Sequence, residues 1–216
     1  MQTADFSLYL ITDRLQTGGR SLTEVVRQAL DGGVRIVQLR EKDLTGAELF
    51  LLATEMRRLT SDYGARLLIN DRLDVAMAVD ADGVHIGVNS LPVTVVRRIL
   101  GKGKIIGYSA HAVNEALVAQ EDGADMVTFG PVFQTPSKAG YGLPCGIEEL
   151  TEAVRVLNIP VIALGGIKPG NISEALSSGC RGIAVISAIL TAADPRDAVA
   201  ALLKMIEERV LDVQHP

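Results

Sequence analysis

One short stretch concentrates more polar chemistry than any other: Gln38-Leu39-Arg40-Glu41-Lys42-Asp43 places an amide, a guanidinium, an ammonium and two carboxylates within six residues. Ile36-Val37 just before it are β-branched and apolar, the composition of a buried strand. A buried strand that releases charge at its C-terminal end is how α/β proteins build ligand sites. Arg40 and Lys42 are two apart, so they share a face if the strand continues. Two cations so placed are suited to an oxygen-rich anion. The competing reading is a solvated loop in which Arg and Glu pair with each other.

The same pattern recurs along the chain. Apolar runs end in Asp13, in Asn70-Asp71-Arg72, in Gly87, in Ser109 with His111, in Gly130, in Gly165-Gly166 and in Ile186-Ser187. The loop after Gly130 adds Thr135, Ser137 and Lys138. Arg40, Lys42 and Lys138 bring positive charge from two loops, enough for a di- or triphosphate. Gly165-Gly166 and Ser187 suit a phosphate held by backbone N–H groups, since glycine admits close approach. The residues thus suggest two phosphate-bearing groups facing each other. Asp71 either holds a magnesium ion against a pyrophosphate or caps the helix that follows. His85 lies inside its apolar run and reads as a packed core histidine. His111 lies beyond its run and is the candidate acid–base group. Cys145 and Cys180 form no metal or redox motif, and nothing near Cys145 argues for an activated thiolate.

These residues need a scaffold that gathers strand ends at one place. Apolar runs over 8–13, 35–40, 66–70, 83–87, 104–109, 125–130, 160–165 and 182–187 each precede a helical pattern. The first helix should start at Ser21, with Glu24 completing a capping box, and stop at Gly32-Gly33. Others span 45–62, a short stretch through Val75 and Val79, 92–100, 113–121, 147–157, 171–179 and 194–210. Pro92 should open its helix and Asp194 should cap the last one. Eight strand-then-helix units predict a single-domain (β/α)8 barrel, residues 1–216, with the site at the C-terminal strand ends. An open doubly wound sheet would more naturally carry a G-x-G-x-x-G turn after its first strand, and none is present.

Composition narrows the function classes. The 216 residues are 48% hydrophobic, enough to bury one large core. Twenty-one basic against 26 acidic residues give a net charge of −5, and aromatics are 4%, so no nucleic-acid partner is expected. An anion must then be held by a local cluster, not by the overall field. No signal peptide and no membrane-length apolar run are seen, so a cytoplasmic protein with no membrane association is expected. Association into a homo-oligomer is left open.

The motifs as a set are familiar. Gln38-Leu39-Arg40-Glu41-Lys42-Asp43, Ile69-Asn70-Asp71-Arg72, Gly83-Val84-His85-Ile86-Gly87, Gly107-Tyr108-Ser109-Ala110-His111, Gly130-Pro131-Val132-Phe133, Thr135-Pro136-Ser137-Lys138 and Ala163-Leu164-Gly165-Gly166-Ile167 resemble the thiamin phosphate synthase/TenI family, in order and over nearly the whole chain. The resemblance implies a (β/α)8 barrel. It implies a reaction joining a hydroxymethylpyrimidine pyrophosphate to a thiazole phosphate, with release of pyrophosphate. Arg40, Lys42, Asn70 and Lys138 would grip the pyrophosphate, and Asp71 would ligate Mg2+. Gln38 and Ser109 would meet the pyrimidine. Thr135, Ser137, Gly166, Ile186 and Ser187 would hold the thiazole phosphate. One departure stands out: the synthases usually follow strand four with Gly-Gln-Glu-Asp, whose last carboxylate is a second magnesium ligand, and here the stretch is Gly87-Val88-Asn89-Ser90. The TenI branch lacks that carboxylate and isomerises a thiazole carboxylate phosphate without a metal, with His111 as the natural acid–base group. A phosphate-binding protein without catalysis is the third reading. The segment after Lys138 also departs from the synthase pattern.

Overall fold

Every apolar run forms a strand, and each strand is short. The computed structural model describes residues 5–135 and 143–214. The strands are β1 (Leu8–Ile11), β2 (Ile36–Leu39), β3 (Arg66–Asn70), β4 (Gly83–Ile86), β5 (Ile105–Ala110), β6 (Met126–Phe129), β7 (Val161–Leu164) and β8 (Gly182–Val185). All neighbours are parallel, and β8 pairs back onto β1, with Tyr9 opposite Ala184. The sheet therefore closes into an eight-stranded barrel in chain order. The helices are α1 (Leu22–Asp31), α2 (Gly46–Asp62), α3 (Leu73–Ala78), α4 (Val93–Leu100), α5 (Val113–Glu121), α6 (Gly146–Val156), α7 (Ile172–Ser177), α8 (Ser187–Leu190) and α9 (Pro195–Gln214). No described helix is long and apolar enough to cross a membrane.

Strand alternation sorts the core into two layers. Tyr9, Ile11, Ile36, Leu68, Met126, Ile162 and Ala184 fill the barrel interior. Their neighbours Leu10, Val37, Leu39, Leu67, Ile69, Val84 and Val127 face outward and are buried beneath the helices. The same alternation carries Gln38 on β2, Asn70 on β3, His85 on β4, Ser109 on β5 and Thr128 on β6 inward. Thus the apolar filling near the N-terminal ends gives way to a polar layer towards the C-terminal ends.

Local signals mostly hold, with instructive exceptions. The capping box forms at α2, not at α1: Thr45 Oγ1 accepts from Glu48 N at 3.4 Å and Glu48 Oε2 from Thr45 N at 2.9 Å. Ser21 does precede α1, but its side chain caps nothing, and Glu24 accepts from Gln28 Nε2 at 3.0 Å instead. Asp194 caps α9, accepting from Asp197 N at 3.0 Å. Pro92 sits just outside α4 with ψ 141°, extended, so the helix begins one residue later. The last strand stops at Val185, and Ser187 begins the four-residue α8, which the apolar run had concealed. Replacing Thr45 by Ala should cost about 1 kcal/mol of stability, read as a lower urea midpoint with unchanged slope, because one cap bond disappears from an exposed turn.

Candidate active site

Because the strands are parallel, all their C-terminal ends open at one mouth. There the partner of the β2 cluster is a residue that sequence reasoning overlooked. Asp13 caps a 3-10 turn, Arg14–Gln16, at the end of β1, accepting from Leu15 N at 3.2 Å and Gln16 Nε2 at 2.7 Å. That turn holds Arg14 against β2. Arg14 is bidentate on Asp43, at 2.5 and 2.6 Å, and its Nη1 also reaches Glu41 at 3.3 Å. The buried Glu41 carboxylate accepts from Arg14 N at 3.0 Å and from Thr12 Oγ1 at 2.6 Å. Thr12 Oγ1 in turn accepts from Arg40 N at 2.9 Å. Arg14 holds the Asp43 carboxyl below its ordinary range.

The expected pairing of arginine with glutamate therefore exists, but it uses Arg14. Arg40 and Lys42 have no acidic partner among the described residues. They do not share a face through strand alternation, since β2 ends at Leu39 and residues 42–43 form a turn. The cause is Glu41, whose bonds to Thr12 and Arg14 draw the chain out of the sheet after Leu39.

At the end of β3, Asp71 adopts a left-handed φ of 58°, a conformation that aspartate tolerates better than most residues. Its N–H donates to His85 O at 3.0 Å. Its carboxylate accepts from Asn70 Nδ2 at 2.7 Å and from the Ser90 hydroxyl. Ser90 Oγ itself accepts from Gly87 N at 2.8 Å. Asp71 therefore does not cap α3, whose N-cap residue is Arg72 and lacks a side-chain cap bond. Arg72 turns away to Asp74, at 2.6 and 2.9 Å, and is removed from the mouth's charge.

Across the barrel, the loop after β6 is stitched to the end of β7. Val132 N donates to Leu164 O at 2.9 Å and Phe133 N to Gly165 O at 3.0 Å. Gly165 and Gly166 have φ of 97° and 68°, and a Cβ on either would come within 2.8 Å of that loop. The glycines thus serve the turn and the packing as well as leaving backbone exposed at the mouth. Thr135 ends the described part of the loop, while Ser137 and Lys138 lie outside the described residues.

With this geometry in place, similarity to known proteins becomes informative. A family model described as thiamine monophosphate synthase matches residues 8–189. The chain belongs to that family. A protein from Geobacter sulfurreducens is 56% identical over 98% of this chain and 100% of its own. A thiamine-phosphate synthase from Roseiflexus sp. is 44% identical over 92% of this chain and 84% of its own. The solved structure of thiamine phosphate pyrophosphorylase from Pyrococcus furiosus superposes with a TM-score of 0.88 at 40% identity, covering 96% of this chain and 98% of that one.

Within this thiamine monophosphate synthase barrel, the described residues contain no cluster of three or more metal-ligating side chains. Asp71 alone, exposed and with a hydroxyl at position 90, suits an Mg2+ ion that a polyphosphate helps to coordinate, because magnesium keeps waters and commonly uses one or two carboxylates. His111 Nδ1 pairs with Gly130 O at 2.5 Å. A carbonyl only accepts, so Nδ1 carries the hydrogen, and in the neutral ring Nε2 keeps a lone pair. Its backbone N–H donates to Glu115 Oε2 at 2.8 Å. Cys145 is pushed up to about 11 by burial and by Glu149, so it is an unreactive thiol at neutral pH. Ile186 and Ser187 flank the start of α8.

Beneath the mouth, His85 is 2% exposed, as expected of a core residue, yet it is bonded and not merely packed. Burial, and then the charge of Arg40, lower its pKa to about 3. Between about pH 6.5 and 3 the unfolded chain therefore binds a proton that the native state refuses, so stability falls as pH falls through that window. By pH 4 this single group should cost about 3 kcal/mol, and urea titrations should show a shallower acid loss in His85→Gln than in the wild type. Glu41→Ala should cost about 2–3 kcal/mol at pH 7 on the same assay, because Thr12 and the Arg14 N–H lose a buried charged acceptor.

Proposed function

We propose that this chain is a thiamin phosphate synthase, coupling hydroxymethylpyrimidine pyrophosphate with thiazole phosphate to give thiamin phosphate and pyrophosphate. The observation that carries the reading is charge separation at the mouth. Arg14 occupies both neighbouring carboxylates, and Arg40 and Lys42 are left without an acidic partner among the described residues, at the mouth that Asn70 and Asp71 also reach from the end of β3. Unpaired cations near a carboxylate suit a magnesium pyrophosphate. The relatives' family and names support the same reaction.

The residues would then divide the work by strand. Arg40 and Lys42 bind the pyrophosphate and stabilise the charge that grows on it as its C–O bond to the pyrimidine methylene breaks. Asn70 spans Asp71 and this group. Gln38 and Ser109 orient the pyrimidine ring, while Thr135, Ser137, Gly165, Gly166, Ile186 and Ser187 hold the thiazole phosphate across the barrel. Lys138, outside the described residues, would supply a further cation for the pyrophosphate. The thiazole nitrogen is thereby held next to the carbon it attacks, which removes much of the entropic barrier. Mg2+, held by Asp71, would supply additional charge neutralisation on the pyrophosphate.

A thiazole tautomerase is the second reading, favoured by Ser90 in place of a carboxylate and by His111, whose Nδ1 bond to Gly130 O leaves Nε2 as a base. One paired assay separates the two. The pure protein with both synthase substrates and Mg2+ should form thiamin phosphate, and EDTA should abolish it. Arg40→Ala should lower kcat/KM by about 10²–10³-fold without changing the melting temperature by more than a few degrees. Ser90→Asp should lower the Mg2+ concentration for half-maximal rate. Metal-independent isomerisation of the thiazole carboxylate, lost in His111→Asn and without any synthase turnover, would replace the synthase reading.

A further inference from the structure

The barrel interior holds a second polar system, below the charged mouth, of which the proposed reaction as described uses only Gln38 and Ser109. Tyr9, Gln38, His85 and Thr128 are each no more than 2% exposed. Gln38 Nε2 donates to Tyr9 Oη at 3.0 Å. Tyr9 Oη lies 3.2 Å from His85 Nδ1. On its other side, His85 Nε2 is 3.0 Å from Ser109 Oγ and 3.2 Å from Thr128 Oγ1. Thr128 Oγ1 also donates to Ser109 Oγ at 3.4 Å. These contacts cross the barrel from β1 and β2 to β4, β5 and β6. Room for the imidazole is built in: Gly107 stands opposite His85 in the β4–β5 register, and a Cβ there would lie 2.4 Å from His85 Nδ1.

The chemistry of the groups gives this chain a direction. An amide nitrogen can only donate, so Tyr9 Oη accepts from Gln38 and its own hydrogen is available for His85 Nδ1. Nδ1 must then carry a lone pair. A ring with a lone pair on Nδ1 carries its hydrogen on Nε2, which points to Ser109 and Thr128. Ser109 Oγ then accepts from both, and its hydroxyl hydrogen is turned out of the network. Gln38, anchored through its nitrogen, keeps Oε1 without a hydrogen-bond partner among the described residues.

We propose that this one-way chain, Gln38 to Tyr9 to His85 to Ser109, fixes an acceptor at Gln38 Oε1 and a donor at Ser109 Oγ, with His85 and Tyr9 as positioning residues for the pyrimidine substrate. The proposal rests on the reading that Gln38 and Ser109 meet that ring. An aminopyrimidine presents the complementary pair, an exocyclic N–H and a ring nitrogen. A ring with an oxo group in place of the amino group would face Oε1 with a second acceptor, so the chain is also a specificity device.

Two measurements test it on the intact protein. In the wild type, long-range proton–nitrogen correlation of the imidazole should show His85 as the Nε2–H tautomer at pH 7. In Tyr9→Phe, which keeps the ring volume but cuts the chain, KM for the pyrimidine pyrophosphate should rise about tenfold while KM for the thiazole phosphate stays within about twofold. A merely structural role would move both constants together or lower the melting temperature without this split. An Nδ1–H or doubly protonated His85, or unchanged or equally raised KM values, would overturn the proposal. If the wild type forms no thiamin phosphate, the functional reading fails on its own, and the tautomer still decides the direction of the chain.

Discussion

The mouth of this barrel depends on one guanidinium that binds no substrate in the proposed reaction. Arg14 takes Asp43 with two bonds and Glu41 with its side chain and backbone N–H, so the carboxylates interleaved with Arg40 and Lys42 are satisfied from the turn after β1. Without it, Glu41 and Asp43 would lose the cation that neutralises them beside Arg40 and Lys42 in the chain. The same contacts fasten the ends of β1 and β2, because Thr12 joins Glu41 to the Arg40 N–H. Charge availability and loop geometry are therefore one constraint. Exposed ion pairs contribute little to stability, but Glu41 is buried, and its bonds order the residues on both sides of it.

Below the mouth, the interior changes character within one layer. Ile36, Leu68, Met126 and Ile162 fill the lower barrel as a hydrocarbon core. Above them come Gln38, His85, Ser109 and Thr128, whose burial is tolerable only because each finds a partner. A polar network in low dielectric is costly when incomplete and stiff when complete. Among the described residues, Gln38 Oε1 is the acceptor of this network left without a partner. This makes the network a support for ligand-facing groups as much as a part of the core.

The eight strands, and the mouth at which their polar ends gather, could be read from sequence because both rest on local signals. Apolar runs such as 66–70 or 160–165 specify buried strands, and a parallel closed barrel then gathers their polar ends without further information. What escaped the reading was tertiary pairing. Nothing near Arg14 in sequence indicates Glu41 and Asp43, nearly thirty residues away, as its partners. Its place inside an apolar run marks His85 as buried, but its bonds come from β1, β5 and β6, and no local spacing encodes them. Ser21 and Thr45 both stand three residues before a glutamate, yet only Thr45 closes the capping box, while Glu24 accepts from Gln28. The α8 turn is hidden because Ile186 and Ser187 read as the end of the apolar strand over 182–187.

Ser90 deserves a physical reading of its own within the proposed function. Its hydroxyl is held by the Gly87 N–H and gives its hydrogen to Asp71, so it orients the one carboxylate that would meet Mg2+ without adding charge. An ion held by a single carboxylate must complete its octahedron with waters and substrate oxygens. Its affinity for the protein alone would be low, and the pyrophosphate would raise it. By thermodynamic reciprocity, the ion would raise affinity for the pyrophosphate by the same factor. A second carboxylate would weaken this coupling by letting the metal bind alone, at the cost of negative charge beside the anion that Arg40 and Lys42 must hold. Within the proposed function, serine at position 90 would therefore tie metal and substrate into a single binding event, as in a site whose metal arrives with its ligand.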